Sequence, residues 1–288
     1  MKKEPDIMPR PDQEKRTVLS LQKHKDQGKK ISAITAYDYP TAKIASDSGI
    51  DLILVGDSLG MVIQGEQHTL GVTLDDIVYH TRLVSRAKPL SMVVSDLPFH
   101  SYHVSIESTL ENAIRCVKQG GAEAVKLEGG RKRFRMIEAI LDIEIPVLGH
   151  LGLTPQSVNR LGGFKVQGKK REVAREILED AIELEKLGVF ALVLESVPME
   201  LARKVTESVK IPTIGIGAGR YCDGQILVFH DLVGLTNLYL PKFVRKYADL
   251  HDMIREALEA YIRDIGSGSF PNDDESYHLQ KDIDGFIK

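Results

Sequence analysis

Short apolar runs alternate with helical patterns along most of the chain. Leu52-Ile53-Leu54-Val55, Ala124-Val125-Lys126-Leu127 and Ala191-Leu192-Val193-Leu194 have the near-continuous apolar character of strands covered on both faces. Helical patterns precede them at Thr41–Ser48, Thr109–Gln119 and Glu172–Leu187, and stop at Gly49, Gly120-Gly121 and Gly188. Each strand then runs into an acid: Asp57 after Gly56, Glu128 and Glu195. Further strands are predicted at Ile31–Tyr37, at Leu90–Ser95 running into Asp96, and at Pro146–Leu148 running into Gly149-His150. Two more follow, at Pro212–Ile216 before Gly217-Ala218-Gly219 and at Gln225–Phe229 before His230-Asp231.

Strict alternation of strands and helices argues for a parallel sheet, and about eight units in about 200 residues argue for closure. The expected fold is therefore α/β, a (β/α)8 TIM barrel, with an open doubly wound sheet as its rival. Residues 1–30 read as an N-terminal segment with a floor cap around Val18–Lys23, and residues 31–242 as the barrel. Residues 243–288 read as a helix and tail of the same domain, helical from Ala248 to Asp264 with Leu250, Ile254, Ala257, Leu258 and Tyr261 on one face.

Composition narrows the class of ligand. The 288 residues are 42% hydrophobic and 27% charged, with a formal net charge of −3 and dispersed basic residues. That balance gives no electrostatic reason to expect nucleic acid or an anionic membrane, so small-molecule substrates are the default. The chain has two cysteines, Cys116 and Cys222, which excludes a disulfide framework and a thiolate cage and fits reducing cytoplasm. Residues Met1 to Arg16 are charged and lack the apolar core of a signal peptide, and no run is long enough to span a bilayer.

In a parallel barrel the C-terminal strand ends share one face, where catalytic groups collect. Asp57, Asp96 and Glu128 are expected on adjacent strand ends, and neighbouring strands lie about 4.8 Å apart. Gathered carboxylates repel, and a hard divalent cation such as Mg2+ relieves that repulsion. Any one of them alone is as well read as a helix cap or a surface ion pair. Glu195, across the mouth, suits a general base, or equally an ion pair on the rim. Lys126 shares the inward face with Glu128 by period two. It suits a substrate carboxylate, a Schiff base, or plain neutralisation of the acids. His150, Ser58 and Asp38 lie on the same rim without a diagnostic pattern, and Asp38 sits farthest from the three acids. The glycines of Ile214–Gly219 suit a phosphate loop or a tight, closely packed turn.

Several motifs together carry a family resemblance. Val55-Gly56-Asp57-Ser58-Leu59-Gly60, Ser95-Asp96-Leu97-Pro98-Phe99-His100 and Val125-Lys126-Leu127-Glu128-Gly129 come first. Gly149-His150-Leu151-Gly152-Leu153-Thr154-Pro155-Gln156, Ile214–Gly219 and Cys222-Asp223-Gly224-Gln225 follow in order. In order and spacing, over about Ser32 to Lys242, the chain resembles the ketopantoate hydroxymethyltransferases. The resemblance implies a Mg2+-dependent barrel enzyme that moves a one-carbon unit from 5,10-methylenetetrahydrofolate to 3-methyl-2-oxobutanoate through an enolate, giving 2-dehydropantoate for pantothenate. It implies Asp57, Asp96 and Glu128 at the metal, Asp57, Ser58, Asp96 and Lys126 at the oxo-acid, and Glu195 as the base. It also implies a homo-oligomer, as family members form decamers, with the C-terminal helix in part of a contact. Gly71 stands where the family pattern has proline, and Ser196 where cysteine is frequent. A Mg2+-dependent carbon–carbon lyase on a small oxo-acid and a non-catalytic metal-stabilised barrel are the alternatives.

Overall fold

The computed structural model describes residues 14–236 and 240–278; most of the charged N-terminal segment and the last part of the tail lie outside them. Eight parallel strands close on themselves in sequence order, β1 pairing with both β2 and β8. They are β1 Ile31–Thr35, β2 Leu52–Val55, β3 Met92–Asp96, β4 Ala124–Glu128, β5 Val147–Gly152, β6 Ala191–Glu195, β7 Thr213–Ile216 and β8 Gly224–Leu227. The open-sheet alternative is thereby excluded.

Period two decides what fills the barrel. Ala33, Leu52, Leu54, Met92, Val94, Ala124, Leu148, Ala191, Val193, Ile214 and Ile226 form one buried cluster. Continued toward the C-terminal ends, the same phase brings Asp96, Lys126, Glu128, His150 and Glu195 inward. Between them Val125 and Leu127 are also fully buried, so β4 is covered on both faces. At the N-terminal end, helix Val18–Asp26 starts at a capping box of Thr17 and Ser20 and sends Leu21 into the inner cluster. Lys25 anchors it, donating to the carbonyls of Val209 and Ile211 and to Asp223.

Two strand limits differ from the sequence reading for identifiable reasons. β5 does not stop at Leu148, because β4 and β6 extend past it and pair Glu128 with His150 and Glu195 with Gly152. Gly149, which reads as a terminator, instead leaves room for close packing: a Cβ there would lie 2.7 Å from Leu192. β8 ends at Leu227 because Phe229–Leu232 forms a helical turn, with the Phe229 N–H donating to Thr35 Oγ1 at 3.1 Å.

The chain divides into two compact units. One is residues 1–229 with 240–244, which holds the barrel; the other is residues 230–239 with 245–288. In the second unit, the Tyr247 and Leu250 N–H groups donate to the carbonyls of Leu232 and Val233. Helix Leu250–Ser267 follows, closed by Gly268 in the left-handed region. No helix among the described residues is long and apolar enough to cross a membrane.

Candidate active site

Asp96 and Glu128 are the last residues of β3 and β4, and Asp57 lies two residues past β2, where Gly56 breaks the strand phase. Asp57, Asp96 and Glu128 each place a carboxylate oxygen within 4.8 Å of the others, and all three are buried. Register explains their companions. Asp96 is level with Lys126, and Lys126 Nζ donates to Asp96 Oδ1 and Oδ2 at 2.8 and 2.7 Å, with Glu128 Oε1 at 3.6 Å. Of the readings open for Lys126, neutralisation of the acids is the one this geometry displays.

Glu128 is level with His150. His150 is fully enclosed, with Nδ1 3.6 Å from Glu128 Oε1 and Nε2 3.3 Å from Glu195 Oε2. Glu195 ends β6 with 16% of its side chain exposed, whereas those of Asp96 and Glu128 are at 1% and 2%. Its backbone is tightly held, its carbonyl accepting from the Leu153 N–H at 2.8 Å. Gly152 stands against that carbonyl at φ +98°, and a Cβ would fall 2.3 Å from it. Gly152→Ala should lower unfolding free energy by on the order of 3 kcal/mol, read as a shifted urea midpoint at unchanged slope.

Ser58 Oγ and the Tyr37 hydroxyl share a hydrogen bond of 2.8 Å, and Ser58 does not cap the turn that follows it. Asp38 is an N-cap, accepting from the Thr41 N–H and hydroxyl. The glycines after β7 are occupied with packing: a Cβ at Gly217 would meet Phe243, and one at Gly219 would meet Met199. The tight-turn reading accounts for them. Two residues of the site gave little sequence signal, Gln156 and Tyr102, both buried and hydrogen-bonded to each other. Only the position of Gln156 at the end of the His150 motif hinted at it.

Electrostatics sets the charge state. Burial, and then the Asp96 and Glu128 charges, push the Asp57 carboxyl well above the usual range. Burial works against the Lys126 ammonium, but Asp96, Glu128 and Asp57 outweigh it and hold the proton on. Burial and Lys126 likewise oppose charge on His150, and the Glu128 and Glu195 carboxylates overcome them, raising it to about 9. Because that folded value exceeds the unfolded one, the stability His150 contributes is complete below about pH 6.5 and is lost as pH rises through about 9. With EDTA present, the Tm should fall by about 5 °C between pH 7 and 9.5, and His150→Gln should flatten that slope.

Whether the acids suit a metal is decided by their donors. All are hard carboxylate oxygens, and Glu128 Oε1, buried, has no hydrogen-bond partner among the described residues. With all four ionised, Asp57, Asp96, Glu128 and Glu195 outnumber the cations Lys126 and His150 by two, the charge a divalent cation balances. The residues fit the group.

Comparison with known proteins places the chain in a family. The sequence model of the family described as ketopantoate hydroxymethyltransferase matches residues 15–273. A 3-methyl-2-oxobutanoate hydroxymethyltransferase of Thermoanaerobacter sp. (strain X514) is 54% identical over 269 residues, 93% of this chain and 98% of its own. One of Clostridioides difficile (strain 630) is 52% identical over 267 residues, covering 93% and 97%. Among solved structures, phosphonopyruvate hydrolase in complex with oxalate and Mg++ superposes with a TM-score of 0.59 at 12% identity, covering 93% of this chain and 94% of that one. A 2,3-dimethylmalate lyase, of the PEP mutase/isocitrate lyase superfamily, gives 0.57 at 16%, covering 90% and 91%. At such identities the likeness speaks for the barrel alone.

Proposed function

The chain belongs to the ketopantoate hydroxymethyltransferase family, and from that premise we propose how its own residues share the work of the reaction. It is a transferase that places a hydroxymethyl group on C3 of 3-methyl-2-oxobutanoate, giving 2-dehydropantoate. The lyase alternative is not favoured, since relatives at 51–54% identity carry the transferase name. We assign Asp57, Asp96 and Glu128 to hold Mg2+, which when bound supplies Lewis-acid stabilisation of negative charge growing on the keto oxygen. The one-carbon donor in this reading is 5,10-methylenetetrahydrofolate, and the product serves pantothenate synthesis.

The oxo-acid enters at the open end of the barrel. Asp96 accepts two bonds from Lys126 Nζ, which leaves one N–H of the ammonium for the substrate carboxylate. The Ser58 hydroxyl, oriented by Tyr37, offers a second hydrogen bond on the same side. Glu195 removes the C3 proton: the C–H pair becomes the C2–C3 double bond, and the carbonyl pair moves to oxygen. C3 is then the nucleophile toward the donor's methylene carbon: a C–C bond forms, the bonds from that carbon to the folate nitrogens break, water supplies the hydroxyl, and tetrahydrofolate leaves. His150, as imidazolium, aims Nε2 at Glu195 Oε2 and fixes the direction in which the base faces.

The observation that carries this reading is the contrast between three buried, clustered acids and one part-exposed carboxylate held apart from them. Proton NMR in D2O tests it. With Mg2+ and no folate, the C3 proton of 3-methyl-2-oxobutanoate should exchange, and adding the folate should give 2-dehydropantoate. A folded protein that forms no product would overturn the assignment. Free, buried Cys116 and Cys222 support a cytoplasmic location. Exposed Met253, Leu258, Ile262 and Ile265 on the C-terminal helix support a homo-oligomer.

A further inference from the structure

Gln156 lies on the loop after β5, yet it bonds to residues at or just past the ends of three other strands. Its side-chain N–H2 donates to Asp57 Oδ2 and to the Leu97 carbonyl, each at 3.0 Å. Its backbone N–H donates to Glu128 Oε2 at 3.1 Å. Its Oε1 accepts from the Tyr102 hydroxyl at 2.6 Å. The valences leave one amide orientation. The Leu97 carbonyl can only accept, so nitrogen must face it, and the oxygen must then face Tyr102. Tyr102 is itself fixed, 1% exposed, with the His103 ring at 4.2 Å and the Arg133 guanidinium 5.6 Å from its ring centroid.

One residue therefore holds a carboxylate from each side of the cluster, Asp57 through its side chain and Glu128 through its backbone. We propose that Gln156 is a positioning residue for the cation-holding acids: it sets the separation of Asp57 and Glu128, and Tyr102 locks its amide in the orientation that does so. The inference rests on the metal reading given above. It predicts that cation affinity depends on a hydrogen-bond relay that never touches the cation. Removing the Tyr102 hydroxyl leaves Gln156 Oε1 without its donor, so the amide keeps its nitrogen toward Leu97 and Asp57 but is held by one bond fewer. Removing the amide ends the relay, after which Tyr102 keeps only its long 3.4 Å bond to the Glu128 backbone carbonyl.

The test is a Mn2+ titration, free Mn2+ read by electron paramagnetic resonance, on wild type, Gln156→Met, Tyr102→Phe and the double variant. Wild type should bind one Mn2+ per chain. Gln156→Met should weaken binding about tenfold or more and Tyr102→Phe about threefold, and the double variant should be no weaker than Gln156→Met. A general loosening of the fold would instead make the two losses multiply, and that result overturns the proposal. So does wild-type affinity in both single variants. If Gln156→Met does not fold, Tyr102→Phe decides alone: weaker Mn2+ binding at a wild-type Tm supports the relay, and unchanged binding rejects it. Failure of wild type to bind Mn2+ would remove the metal reading and this inference with it.

Discussion

Glu195→Gln should abolish exchange of the C3 proton and lower turnover by at least about 10³-fold, while Mn2+ affinity stays within about twofold of wild type. The substitution keeps the shape of the side chain and an oxygen for His150 Nε2 to face, so the mouth of the barrel should not rearrange. What it removes is the capacity to accept a proton. Glu195 stands outside the group of three acids that can share a cation, and so its loss should leave that group intact. Substrate affinity should change little, since an interaction needed only in the transition state acts on kcat. Exchange within tenfold of wild type would show that another group takes the proton. His150 would be a poor substitute, because Glu128 still favours its proton and an imidazolium has no lone pair to offer.

The barrel was legible because its signals are local. In Ala124–Glu128 a covered strand shows as unbroken apolar residues around one lysine, and period two alone places Lys126 and Glu128 on one face. Asp57, Asp96, Glu128 and Glu195 follow as strand-end acids. What stayed hidden depends on contacts distant in sequence. Gly149 reads as an ending, and only Leu192, brought alongside by β6, shows it to be a space-making residue within a continuing strand. Gln156 is one polar residue in a loop, and its four hydrogen bonds reach Asp57, Leu97, Tyr102 and Glu128, up to 99 positions away. For Lys126 the pattern left three roles open, and the pairing of Asp96 with it across β3 and β4 separates them. The glycines of Ile214–Gly219 suited a phosphate loop or a tight turn alike, and Phe243 and Met199 against them favour the turn.

The second large effect concerns two acids that look equivalent in sequence and should respond to the same substitution with opposite signs. Asp57→Asn removes a carboxyl that burial and two neighbouring charges oppose, and the amide oxygen can still accept from Gln156 Nε2. Since its folded value lies above the unfolded one, Asp57 at neutral pH weakens the fold, and its neutral replacement should raise unfolding free energy by on the order of 2 kcal/mol in EDTA. Burial raises the Asp96 carboxyl too, but Lys126 opposes that rise, and the loss of this pairing gives Asp96→Asn the reverse sign. It leaves the buried Lys126 ammonium with at most one of its two short bonds and with Glu128 Oε1 still 3.6 Å away, at a loss of roughly 3 kcal/mol. Both variants should lose most of their Mn2+ affinity. Saturating cation therefore separates them again. Wild type at a hundredfold excess over Kd gains about 2.7 kcal/mol, enough to overtake Asp57→Asn, which gains little. Denaturation of the three proteins with EDTA and then with excess Mn2+ checks the ordering. Equal destabilisation by both substitutions in EDTA would mean that the acids share the Lys126 charge evenly, contrary to the pairing described. A reversal of rank between wild type and Asp57→Asn on adding cation would identify Asp57 as a residue kept for function at the expense of the fold.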